Sequence, residues 1–219
     1  MQELKGVLFD MDGVILDTEK WLQKFYRKAC KDLGFSVKPE YILSIRSLPP
    51  ALAEVKMKKF VGEDFDFMAV RALRKRYMTE HIAQNGVERK KGIEELLQYI
   101  RAKGLKCAVA TATAVDVAKN YLTQAGVLSY FDEIVCSAMV KHGKPEPDIY
   151  IAAAEKLKLS PNECMALEDS PNGILSASRA GCITVMVPDL TQPDDEILPL
   201  IYHTAEDLSA VIPLIEKLI

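Results

Sequence analysis

Apolar residues along this chain recur in two rhythms, and the rhythm changes near Gly92. Five short runs have the length and continuity of strands buried on both faces. They are Gly6-Val7-Leu8-Phe9, Cys107-Ala108-Val109-Ala110, Glu133-Ile134-Val135-Cys136, Cys164-Met165-Ala166-Leu167 and Thr184-Val185-Met186-Val187. After Gly92 these runs alternate with helix-length segments: Ile93 to Lys103, Val115 to Ala125, Ile149 to Leu157 and Gly173 to Ala180. Strands separated by helices make a parallel sheet with right-handed crossovers. The first strand belongs to the same sheet, because a strand of that kind does not stay unpaired.

Between the first strand and Gly92 the pattern is helical throughout. Trp21, Leu22, Phe25, Tyr26, Ala29, Cys30 and Leu33 recur at three- and four-residue spacing, and Gly34 closes the helix they predict. Asp17 or Thr18 is available as its cap, with Glu19 in the first turn. From Pro39 to Gly86 further helical patterns break at Pro49-Pro50 and near Gly62. The chain therefore divides into an α/β core of residues 1–16 and 91–219, a doubly wound parallel sheet, and an inserted all-helical unit, residues 17–90. A helical block inserted just above the end of the first strand is expected to act as a cap or lid that excludes water and reads a substrate.

Composition narrows the possibilities. The chain has 219 residues and a net charge of −3 with both signs interspersed, so it lacks the basic face expected of a nucleic-acid binder. No run reaches the length of a membrane span, and the start leads straight into a strand without an apolar leader, so the expectation is a cytoplasmic, monomeric protein with no membrane partner. The five cysteines have no short metal- or redox-type spacing, and Cys107, Cys136 and Cys164 fall in strand runs, as buried free thiols would.

Chemistry collects where the predicted strands end. The first ends in Asp10 and Asp12, with Gly13 to turn the backbone; the second in Thr111, Ala112 and Thr113. Lys144 follows the third, in Gly143-Lys144-Pro145-Glu146-Pro147-Asp148, and the fourth ends in Glu168-Asp169-Ser170. Open α/β sheets bind ligands outside the carboxyl ends of their strands, and there all four loops converge. Each piece alone has a plainer reading: a helix cap, a solvated loop lysine, an acidic helix start. Together, carboxylates from two strands can share a hard cation such as Mg²⁺, a hydroxyl with free N–H groups can take an anion, and a lysine adds fixed positive charge. That set describes phosphoryl transfer.

Asp10-Met11-Asp12-Gly13-Val14, Thr111 after an apolar strand, Lys144 in Lys-Pro-x-Pro-Asp, and Glu168-Asp169 before a glycine-containing helix resemble, in order, the four motifs of the haloacid dehalogenase superfamily. The helical insertion resembles the cap of its β-phosphoglucomutase and phosphoglycolate phosphatase branch. The resemblance implies Asp10 as nucleophile through an aspartyl-phosphate and Asp12 as general acid and base. It implies Thr111, Ala112 and Lys144 as phosphate-binding groups, Lys144 and Thr111 counting also among the catalytic residues. Asp10, Asp12 (through its carbonyl), Glu168 and Asp169 are implied as the Mg²⁺ site. Dehalogenation is disfavoured, since haloacid dehalogenases generally lack the second aspartate.

The leading expectation is a Mg²⁺-dependent phosphatase acting on a small phosphorylated metabolite, such as a sugar phosphate. A phosphosugar mutase of the β-phosphoglucomutase type is the alternative, and a non-catalytic binding module is the alternative from another class. The cap departs from the mutase pattern. Leu22 stands where those enzymes carry a histidine that holds the general acid, and their Gly-x-x-Arg turn is missing, with Arg46 offering a comparable charge for substrate binding. Lys20, Lys56, Arg74 and Arg76 are the other cap candidates for substrate contact, each with the plainer reading of a surface charge.

Overall fold

The computed structural model describes residues 3–219, so the first two residues of the expected core segment lie outside it. The core sheet has six strands: β1 (Gly6–Phe9), β2 (Lys106–Thr111), β3 (Glu133–Cys136), β4 (Cys164–Glu168), β5 (Ile183–Met186) and β6 (His203–Thr204). Their order is β3-β2-β1-β4-β5-β6, and every pairing is parallel. β1 is therefore central, between β2 and β4, and its last residue Phe9 is in register with Val109 and Leu167.

Alternation along β1 sends Val7 and Phe9 to one face and Leu8 to the other. Val7 and Phe9 join the cluster built by α5 (Ile93–Ala102), α6 (Val115–Gln124) and α9 (Ile212–Glu216). Leu8 joins Ala108, Ala110 and Ala166 under α7 (Asp148–Lys156) and α8 (Pro171–Ala180). Alanines on that face let α7 approach closely, which brings the fully buried Tyr150 beneath the strand ends.

Between β1 and α5 lie α1 (Glu19–Asp32), α2 (Pro39–Leu43), α3 (Pro50–Val61) and α4 (Phe67–Asn85). They bury a cluster of their own, including Tyr26, Cys30, Met57, Phe65, Phe67 and Val70. The chain enters and leaves this insertion side by side: Asp17 N–H donates to the Glu88 carbonyl at 2.9 Å and Lys90 N–H to the Ile15 carbonyl at 3.0 Å. A turn at 44–50 then meets the core directly. Asn172 Nδ2 donates to the Arg46 carbonyl at 2.8 Å, and the Ser47 and Ser170 hydroxyls lie 3.1 Å apart.

The five expected strands and the helical insertion are all present. β6 and α9 had no counterpart among the expectations. All five cysteines are free, Cys182 half-buried and the rest buried. Among the described residues no helix is long and apolar enough to cross a membrane.

Candidate active site

The β1–β4 ladder continues one residue past β1, where Asp10 N–H donates to the Leu167 carbonyl at 3.0 Å, and this fixes Asp10 at the sheet edge. Lys144 reaches it from the loop after β3. The ammonium is fully buried and donates to Asp10 Oδ1 at 2.6 Å, to Glu168 Oε1 at 2.6 Å and to the Ala110 carbonyl at 3.0 Å, so its three protons link β1, β2 and β4. Glu168 Oε1 also accepts from the Tyr150 hydroxyl at 2.6 Å. Burial pushes the Asp10 carboxyl up, to about 8, against the pull of Lys144. Burial works against the charge on Lys144, but Asp10 and Glu168 outweigh it and hold its pKa above the ordinary lysine value.

Asp12 is oriented by two hydroxyls. Thr18 Oγ1 donates to Asp12 Oδ1 at 2.6 Å and Thr113 Oγ1 to Asp12 Oδ2 at 2.7 Å, so one ligand comes from the insertion and one from the loop after β2. This corrects the expectation for Thr18. It stands at the N-cap of α1 but makes no side-chain cap bond, its hydroxyl being spent on Asp12. Thr111 Oγ1 accepts from Thr113 N–H at 3.0 Å, which holds the β2 loop in a tight turn, and Ala112 is exposed at its tip. Gly13 follows Asp12 with φ of 90°, and a side chain there would overlap the Asp169 carboxylate. Glycine is thus required both by conformation and by the close approach of the two acidic loops.

Carboxylate oxygens of the buried Asp10, Glu168 and Asp169 lie within 4.8 Å of one another. Asp169 Oδ1 is buried with no hydrogen-bond partner. An orphaned carboxylate oxygen in an all-oxygen cluster fits a divalent cation, which would satisfy it. Arg46, expected to meet phosphate, is turned here toward two acids and a threonine. Its Nη2 bonds Asp169 Oδ2, its Nε lies 3.2 Å from Glu19 Oε2, and its Nη1 donates to Thr191 Oγ1 at 3.3 Å. Burial pushes the Glu19 carboxyl up, to about 7, with Arg46 pulling it back.

The structure thus brings Asp10, Asp12, Thr111, Lys144, Glu168 and Asp169 to one end of the sheet. The sequence reading missed Thr18, Thr113 and Tyr150 as partners of the acids. For Thr113, its place two residues beyond Thr111 was the available signal; for Tyr150, none was.

Residues 7–187 match the haloacid dehalogenase-like hydrolase family, and the chain belongs to it. Among curated relatives, it is similar to the phosphorylated carbohydrates phosphatase of Thermotoga maritima, 32% identical over 81% of this chain and 82% of the relative. It is also similar to hexitol phosphatase A of Escherichia coli, 30% identical over 94% of this chain and 93% of the relative. Among solved structures, β-phosphoglucomutase from Clostridium difficile shares the fold, with a TM-score of 0.82 at 22% identity, covering 98% of this chain and 96% of that one.

Proposed function

We propose that the chain is a Mg²⁺-dependent phosphatase of small phosphorylated metabolites, in the class of phosphorylated carbohydrates, and that it works through an aspartyl-phosphate on Asp10. The observation that carries this reading is the pair of acids at the end of β1. Asp10 is gripped by a buried lysine, and Asp12, two residues on, is held by hydroxyls on both of its oxygens. The names of the curated relatives support the substrate class.

The chemistry divides between the two acids. The Asp10 oxygen not bonded to Lys144 attacks phosphorus, and the bond from phosphorus to the substrate alcohol breaks as Asp12 gives that alcohol its proton. Asp12, now a carboxylate, takes a proton from water. The water oxygen then attacks phosphorus, the Asp10–phosphorus bond breaks, and inorganic phosphate leaves with both acids restored. Lys144 offsets the charge of Asp10, while Thr111 and the Ala112 N–H take phosphoryl oxygens. Thr18 and Thr113 hold Asp12 at the correct angle for proton transfer. Asp10, Asp169, Glu168 and the Asp12 carbonyl would hold Mg²⁺, which when bound neutralises charge on the phosphoryl group. The insertion acts as the cap, its 44–50 turn seated on the core loops.

The test is phosphate release from a panel of hexitol and sugar phosphates. Turnover is expected with Mg²⁺, none in excess EDTA, and background activity for Asp10→Asn at a near-unchanged thermal midpoint. Appreciable turnover by Asp10→Asn would rule it out as nucleophile.

A further inference from the structure

Two cations lay claim to Asp169. Lys144 donates to Asp10 and to Glu168 but not to Asp169, so Asp169 draws its positive charge from another part of the chain. That charge is Arg46, carried by the 44–50 turn of the insertion, whose Nη2 bonds Asp169 Oδ2. The guanidinium is buried there, at 6% exposure for the residue. The other oxygen, Oδ1, is buried without a partner and is the one a divalent cation would take.

Around this contact the turn sits on the loops after β3, β4 and β5. The Arg46 carbonyl accepts from Asn172 Nδ2 at 2.8 Å, and Thr191 Oγ1 accepts from Arg46 Nη1 at 3.3 Å while donating to the Asp169 carbonyl at 3.1 Å. Pro49 lies against Gly143, next to Lys144, so closely that a Cβ there would come within 2.9 Å of the proline ring. The seat is not a relaxed one. Ser47 has φ of 61°, the left-handed region that a residue with a Cβ seldom occupies. Arg46 Nε is 3.2 Å from Glu19 Oε2 but lacks hydrogen-bond geometry. Such features persist only while surrounding contacts hold them, and the Arg46–Asp169 ion pair is the charged contact that joins this turn to the core.

A divalent cation on Oδ1 and the guanidinium on Oδ2 would share one carboxylate, both withdrawn from water, where like charges repel with little screening. Glu19 belongs to the insertion, so Arg46 keeps that acid when it lets Asp169 go. Linkage makes the effect reciprocal: whatever factor the seated turn costs the metal, the metal costs the seated turn.

We propose that Arg46 is the insertion's own cation at Asp169, and that a divalent cation in the acidic cluster and the seated 44–50 turn oppose each other, so that metal loading loosens the insertion from the core. This rests on the metal site of the phosphatase reading and gives that site control over the seating of the cap.

Mn²⁺ titrated calorimetrically into the protein, with no substrate present, tests the metal side. Arg46→Met should bind Mn²⁺ about 10-fold or more tighter than wild type, whereas Arg46→Lys, which keeps the charge, should stay near the wild-type affinity. Removing a merely structural residue would weaken binding or leave it unchanged. Asn172→Ala takes away one bond of the seat and leaves both ions in place, so it should tighten binding in the same direction by less; it carries the test if the thermal midpoint shows that Arg46→Met is not folded. Hydrogen exchange read by mass spectrometry tests the other side. Saturating Mg²⁺ should speed exchange of the 44–50 turn in wild type and change it little in Arg46→Met. Unchanged or weaker Mn²⁺ binding by folded Arg46→Met, or a turn that Mg²⁺ protects, would overturn the assignment, and a wild type that binds no Mn²⁺ would remove the metal site and this inference together. Hydrolysis of p-nitrophenyl phosphate is followed separately: its absence in a protein that shows the linkage would sink the phosphatase reading and leave the opposition of metal and turn standing.

Discussion

Asp10 and Asp12 are two residues apart and both carboxylates, yet their surroundings differ, and the two proposed roles differ with them. Asp10 is buried against the Lys144 ammonium, whose charge offsets part of the cost that burial places on the carboxylate of the proposed nucleophile. Asp12 is held by neutral hydroxyls on both of its oxygens, an orientation that suits the proposed acid and base. Replacing Asp12 with asparagine should therefore lower kcat on alkyl phosphates by about 10² or more, and by less on p-nitrophenyl phosphate, whose leaving group needs no proton. Equal losses on the two would count against Asp12 as the acid. Thr18→Val should give a smaller loss of the same character, because it frees one oxygen of Asp12 and leaves the carboxylate in place. The acids, Thr111 and Lys144 were legible because motif spacing places them at strand ends whatever their neighbours do. The hydroxyls were not, because Thr18 and Thr113 reach Asp12 from two separate loops. A threonine before a helix looks like a cap whether or not its hydroxyl is spent elsewhere.

At the scale of elements, the site depends on how closely α7 and α8 pack beneath the strand ends. Gly173, in the first turn of α8, lies against the Glu168 carboxylate so tightly that a Cβ would overlap it. Glu168 in turn is fixed by Lys144 and Tyr150. Gly173→Ala should thus force α8 outward, costing about 1–3 kcal/mol by the usual scale of overpacking, and should loosen Lys144 from Asp10. A lowered thermal midpoint together with a reduced kcat is expected; an unchanged kcat would show that Glu168 is not the link between packing and chemistry. The strands themselves explain the cysteines. Burial pushes the thiols of Cys107 on β2 and Cys164 on β4 up to about 12, so neither is ionised at pH 8, and both should resist a thiol reagent until denaturant is added. Early labelling of either, located by mass spectrometry, would contradict that packing. These strands were readable because a parallel strand covered on both faces is a continuous apolar run. β6 was not, since it is two exposed residues, His203 and Thr204, paired only with β5 at the sheet edge. Sheet edges place little demand on hydrophobicity.

Across the whole molecule the two units meet over Asp12, and which of them controls water decides between hydrolysis and transfer. A mutase must shield its aspartyl-phosphate from water until a sugar phosphate returns, so its acid should engage only when the cap is closed on substrate. Here Leu22 replaces the histidine expected for that task. Thr18 and Thr113 hold Asp12 instead, Thr18 standing at the very start of the insertion, beside the hydrogen-bonded segments 15–17 and 88–90 that join it to the core. Were the insertion to swing on those segments, Thr18 beside them would move least, and Thr113, in the core loop after β2, would not move with it. Asp12 should therefore stay oriented in open and closed arrangements alike and be able to activate water in either. Incubating the protein with β-glucose 1-phosphate, Mg²⁺ and a trace of glucose 1,6-bisphosphate, while following free phosphate and glucose 6-phosphate separately, distinguishes the outcomes. Phosphate should be the main product, with glucose 6-phosphate at background. Rapid formation of glucose 6-phosphate with little free phosphate would mean that the insertion withholds Asp12 from water after all, and that the chain is a mutase.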